Sequence, residues 1–145
     1  MRGSAEVKPW WRRLFGPGAA TELDPARADL IVVASSFDDA EACSAALGKA
    51  MDWTADQSVL LRHHLRLPAA QVNAVQVIAA QDGYETGSRD EADPVNLILQ
   101  RVQILDALHC SQERSRMAGL AQRHEGDALG WEALQPARNR PEEKK

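Results

Sequence analysis

His63 and His64 are the residues of this chain best suited to acid–base or metal chemistry, and their spacing restricts both. They are neighbours inside an alternating stretch, Val59 to Leu67, that reads as a strand. Successive strand side chains point to opposite faces, so the pair cannot hold one ion without a bulge. His109-Cys110 and His124 lie far along the chain. A zinc site wants about four convergent ligands, and these spacings match no standard pattern. No metal and no other cofactor is expected. His63 is expected as a hydrogen-bonded residue of the inner face and His64 as a surface residue. Either would be the base of a small enzyme, if the chain is one.

The cysteines offer less. Cys43 falls on the apolar stripe of an expected helix, where packing is the ordinary role. Cys110 adjoins His109, but helix neighbours do not face each other. Two cysteines make no disulfide framework, and they read as reduced thiols of a cytoplasmic protein. Neither G-x-G-x-x-G nor a P-loop lysine occurs, and Gly87-Ser88 in an acidic loop does not replace them. No catalytic residue is assigned.

The polar side of the histidine strand is more suggestive. Arg62, His64 and Arg66 alternate with Leu61, His63, Leu65 and Leu67. Arg101 and Gln103 of a later strand are expected to join them in a basic outer face, a site for an acidic protein partner. The ordinary alternative is a solvated face. Direct RNA binding is not expected, because none of these residues is a stacking aromatic. A second docking candidate is Lys8-Pro9-Trp10-Trp11-Arg12-Arg13-Leu14-Phe15. Trp10, Trp11 and Phe15 give contact area, while Arg12 and Arg13 add attraction to an acidic partner or, weakly, to an anionic membrane surface. Folding back onto the domain is the other reading of this cluster.

These residues need elements to place them. The chain has 145 residues, 44% of them hydrophobic, which is enough for one domain with a core. The formal net charge of −4 argues against a generally basic nucleic-acid binder. No apolar run reaches the roughly 18 residues of a membrane span. Residues 1–28 carry Pro, Gly and no sustained period, and are expected to be a leader. Strands are expected at about 29–37, 59–67, 95–105 and 128–135, with a short one near 84–86. Helices are expected after each of the first two, and at about 107–124.

Three details sharpen this. Asp38 and Glu41 have capping-box spacing at the start of a helix running to about Met51. Gly83 suits the left-handed position that closes the helix at 69–81, and Gly126 closes the last helix. Gly87 to Pro94 reads as a loop. Residues 136–145 are expected to be a solvated tail. Strands alternating with helices imply helices packed on a sheet, and the polar alternation of Arg62, His64 and Arg66 implies one open sheet face. Trp53 and Trp131, each after an element end, are expected to be at least half buried.

Over about residues 58–135 the chain resembles the regulator of ribonuclease E activity B (RraB) family. The resemblance rests on Arg62-His63-His64-Leu65 before a helix and Asp82-Gly83-Tyr84-Glu85 after it. It continues through the apolar strand at Leu97 to Leu105, the helix start Leu105-Asp106-Ala107-Leu108, and Gly130-Trp131. It implies a ferredoxin-like α+β sandwich, mainly antiparallel with helices on one face. It also implies a non-enzymatic protein that binds the non-catalytic scaffold of ribonuclease E and lowers RNA cleavage. The strand and helix at 29–51, the aromatic–basic leader and the lack of strongly acidic tails depart from the family. The expected organisation is a leader at 1–28, one domain at 29–135 and a tail at 136–145.

Overall fold

The computed structural model describes residues 23–138. Its elements are β1 (Leu30–Ser36), α1 (Cys43–Gly48), β2 (Ser58–Leu67) and α2 (Ala69–Gln81). They continue with β3 (Glu85–Arg89), β4 (Val95–Ile104), α3 (Ala107–Arg123) and β5 (Asp127–Pro136). The strands form one sheet in the order β1-β5-β2-β4-β3, with every neighbouring pair antiparallel. From β2 onward this is the ferredoxin-like βαββαβ arrangement. β1 and α1 extend it beyond β5.

Period-two alternation in β2 sets the layers. Val59, Leu61, His63, Leu65 and Leu67 are buried. On that side Val72, Val75 and Ala79 of α2 and Met117, Leu120 and Ala121 of α3 pack over Leu65, Leu67, Leu97 and Leu99. Cys43, Ala46 and Leu47 of α1 pack beside Leu61, Cys110 and Trp131. Among the described residues α1, α2 and α3 all cover one face and leave the other free of helix, and Trp131 is 1% exposed. Trp53 is largely buried against the α1 side of the core.

The α2–β3 turn shows how sequence positions a functional side chain. Gly83 takes φ 85°, a left-handed conformation open to glycine. Its amide donates to the Ala80 carbonyl and the Tyr84 amide to the Ala79 carbonyl, each at 3.0 Å. This double closure swings Tyr84 back under the sheet. The end of α3 closes in the same way, with Glu125 at φ 65° rather than Gly126 in the left-handed position.

Several local expectations are corrected. α1 is shorter than the helix expected from Asp38 to Met51, and the capping box does not form. Asp38 accepts instead from the Ala40 amide at 2.9 Å, and Glu41 pairs with Lys49 at 2.7 Å. The cause is tertiary: the Arg114 guanidinium donates to the carbonyls of Asp38 and Glu41 and holds this stretch as a loop. The loop expected from Gly87 is strand as far as Arg89, because Ser88 and Arg89 pair with Ile98 and Leu97 of β4. β5 runs on to Pro136, and the Ala137 amide donates to the Asp29 carbonyl at 2.8 Å. The expected leader also loses its end: Leu23 is buried against Leu60 and Leu134 on the helix-free face.

Candidate functional site

Strand register divides the expected basic face into two. Arg62, His64 and Arg66 are paired with Gln100, Ile98 and Asn96 of β4, so they share the helix-free face. Arg101 and Gln103 are opposite Leu61 and Val59 and point under the helices. The expectation that these five residues form one face is therefore wrong. Period two already carried the signal: Val95, Leu97, Leu99, Arg101 and Gln103 have one parity, and the first three are core residues.

Arg101 belongs to an internal polar cluster. Its guanidinium carbon lies 4.5 Å from the Tyr84 ring centroid. It donates to the Asp82 carbonyl at 2.7 Å and to Gln103 Oε1 at 2.8 Å, and pairs with Glu113 at 3.2 Å. Glu113, on the inner side of α3, is buried. Its other oxygen accepts from the Tyr84 hydroxyl at 2.8 Å and from Arg116 Nε at 3.2 Å. Arg116 also reaches Asp82 at 3.3 Å. His63 Nε2 is 3.4 Å from the Tyr84 oxygen, with the two rings edge to face.

Charges in this cluster are set by burial and by the two arginines. Burial alone would raise the Glu113 carboxyl, but the Tyr84 hydroxyl, Arg101 and Arg116 together hold it below its usual range. Burial pushes His63 down to about 3, so it is neutral near pH 7. Burial and the bond to Glu113 push the Tyr84 phenol up. Since Tyr84 gives its one proton to ionised Glu113, its oxygen can only accept from His63. The neutral imidazole therefore carries its hydrogen on Nε2. A cleft of ≈ 40 Å³ borders His63, lined also by Asp39, Arg114, Met117, Gly130 and Trp131. Cys110 lies deeper, its thiol pushed up by burial and by the neighbouring Cys43. Such thiols stay protonated and unreactive.

The helix-free face has a different character. His64 Nε2 meets Glu132 Oε1 at 2.6 Å, and the Phe37 ring stands edge-on to His64 at 5.1 Å between centroids. Gly130 permits this approach: a Cβ there would overlap the Phe37 ring and lie 2.7 Å from the Ser36 carbonyl oxygen. Phe37 is 53% exposed and Val32 46%. A groove of ≈ 230 Å³ runs beside His64 between Ser88, Asn96, Ile98 and Leu129. The face is not a basic strip, because Glu132 stands opposite Arg62 and Asp127 opposite Arg66 on β5.

Sequence reading missed Glu113, Arg116, Glu132 and Phe37. Glu113 had a signal: it shares the α3 stripe of Cys110, Met117 and Leu120, an acidic residue at a core position. The docking candidate Trp10, Trp11, Arg12, Arg13 and Phe15 lies outside the described residues. Among the described residues no three His, Cys, Asp or Glu side chains gather as a metal-holding group. No helix among them is long and apolar enough to cross a membrane. Comparison with protein-family models, curated proteins and solved structures finds no match.

Proposed function

We propose that this chain is a non-catalytic regulatory protein that binds an RNA-degrading enzyme of the ribonuclease E type, through that enzyme's non-catalytic scaffold, and lowers RNA cleavage. One observation carries the reading: the fate of the residues behind the family resemblance. His63, Asp82 and Tyr84 converge with Glu113 under the sheet, and Trp131 sits opposite His63 on β5. They tie β2, the α2–β3 turn and α3 together in a ferredoxin-like frame, the frame that the resemblance implies. The opposite face, with Phe37, Val32, Arg62 and His64, is left for a partner. Contact of Lys8 to Phe15 with that partner or with an anionic membrane surface is part of the same proposal and rests on composition.

The test is cleavage of an end-labelled RNA by the host's full-length enzyme and by a scaffold-deleted form. Added protein should slow the first and not the second, and should co-elute with the isolated scaffold. Unchanged cleavage together with no co-elution would overturn the reading.

A small enzyme ranks second, favoured by neutral His63 beside a cleft. That cleft is ≈ 40 Å³, room for about one water rather than a substrate. A turnover activity abolished by His63→Gln in a folded variant would bring this reading forward. Direct RNA binding ranks third. Arg101 and Gln103 are turned inward, and the remaining arginines face acidic neighbours.

A further inference from the structure

Arg62 stands in the middle of the helix-free face, half-buried, and its side chain has no hydrogen bond or ion pair among the described residues. Its Nε is buried and unpaired. Covering a guanidinium N–H without an acceptor is costly. The groups placed to relieve it are engaged elsewhere. Glu132, across on β5, turns its Oε1 to His64 at 2.6 Å and makes no ion pair with Arg62. Gln100, across on β4, turns its amide to Glu85 at 3.0 Å.

We propose that Arg62 anchors a carboxylate carried by a protein partner, with apolar groups of that partner lying over Phe37 and Val32. This rests on the reading of the helix-free face as the partner surface and names what the surface recognises. Nε is covered, so a partner carboxylate is taken end-on by the two terminal nitrogens, through the two parallel bonds that arginine's planar fork allows. Local charge complementarity selects the partner class. Glu132, Asp127 and Glu85 all stand on this face. They repel an RNA backbone, which carries a phosphate at each nucleotide, but tolerate a single carboxylate seated on Arg62. The exposed ring of Phe37 and the side chain of Val32 then bury against apolar neighbours of that carboxylate.

The test uses the full chain and benzoate, which joins one carboxylate to one apolar ring. Benzamide is the neutral counterpart, and a ten-nucleotide oligoadenylate is the RNA arm. The readout is the Nε–Hε resonance of each arginine at constant ionic strength. Benzoate should shift Arg62 saturably, benzamide should not, and Arg62→Gln should weaken benzoate binding at least about tenfold. Arg66→Gln should leave it intact. Arg62→Lys, which keeps charge but not the fork, should also weaken it and serves if the glutamine variant does not fold. No shift at Arg62, equal shifts at Arg66, or tighter binding of oligoadenylate on this face each overturn the proposal. Benzoate binding without any effect on RNA cleavage would sink the ribonuclease reading alone. Inhibited cleavage with a silent Arg62 would sink the carboxylate anchor alone.

Discussion

Tyr84 gives its hydroxyl proton to Glu113 across 2.8 Å, and that bond fixes where His63 keeps its own. The Tyr84 oxygen, 3.4 Å from His63 Nε2, is left as an acceptor. Three residues from β2, the α2–β3 turn and α3 thus form one directed chain ending on a carboxylate clasped by Arg101 and Arg116. This cluster joins the layers of the fold beneath the histidine strand.

Tyr84→Phe removes the middle of that chain while keeping the ring. The His63 N–H and one Glu113 oxygen lose a partner inside the protein. The expected cost is about 1–3 kcal/mol, read as a lower urea midpoint with unchanged slope. Full wild-type stability in the variant would mean that the cluster contributes nothing.

Stability should fall in acid, and His63 sets the upper part of the slope. Burial holds its pKa at about 3 instead of 6.5. Between those values the unfolded chain takes up a proton that the folded chain refuses. Stability is therefore lost as pH drops through this window, by up to about 1.4 kcal/mol per pH unit. Glu113, lowered in the fold, works in the same sense further down. Its contribution is present above the unfolded value of about 4.3 and lost as pH falls through the folded one. Urea melts at about pH 6 and about pH 5 should differ in wild type and much less in His63→Gln. An equal difference in both would refute the assignment.

The two arginines that sequence reading grouped should behave oppositely. Arg101→Met breaks the contacts to Asp82, Gln103 and Glu113 and leaves a buried carboxylate less compensated. It should cost about 3 kcal/mol. Arg62→Met removes a buried donor that has no acceptor among the described residues, and should leave stability unchanged or raise it by up to about 1 kcal/mol. Thermal melts of the two variants side by side decide; similar losses would mean that the faces are not separated as described.

Gly130→Ala should displace Phe37, since the new methyl overlaps its ring and presses on the Ser36 carbonyl. A cost of about 1–3 kcal/mol is expected from the strain. The His64 ring protons should lose the ring-current shift that the neighbouring Phe37 imposes. Wild-type chemical shifts at His64 would contradict this.

Leu23→Ala tests how far the domain extends before β1. Leu23 is 8% exposed against Leu60 and Leu134. The truncation should cost about 2 kcal/mol. No change in the melting temperature would show that residues before β1 add nothing to the core.

By itself the sequence determined the elements and their inner sides. Alternation from Val59 to Leu67 and the stripe of Val72, Val75 and Ala79 are local periodicities, and local backbone geometry turns them into a strand or a helix with one buried face. Gly83 was legible for the same reason, since a left-handed turn is a property of one residue. The apolar run at Leu30 to Ala34, expected to be covered on both faces or centrally placed, is instead an edge strand with Ile31 and Val32 exposed. Tertiary structure alone decided what those faces meet. The pairing of β2 with β4 put Arg101 opposite Leu61, which sent it under the helices, and brought Glu113, 50 positions from His63 in the sequence, to the same Tyr84 hydroxyl. Arg114 unmade the first turn of the expected Asp38 helix from 76 residues away. Register and long-range hydrogen bonds depend on the closure of the whole sheet, and no window of sequence contains both partners.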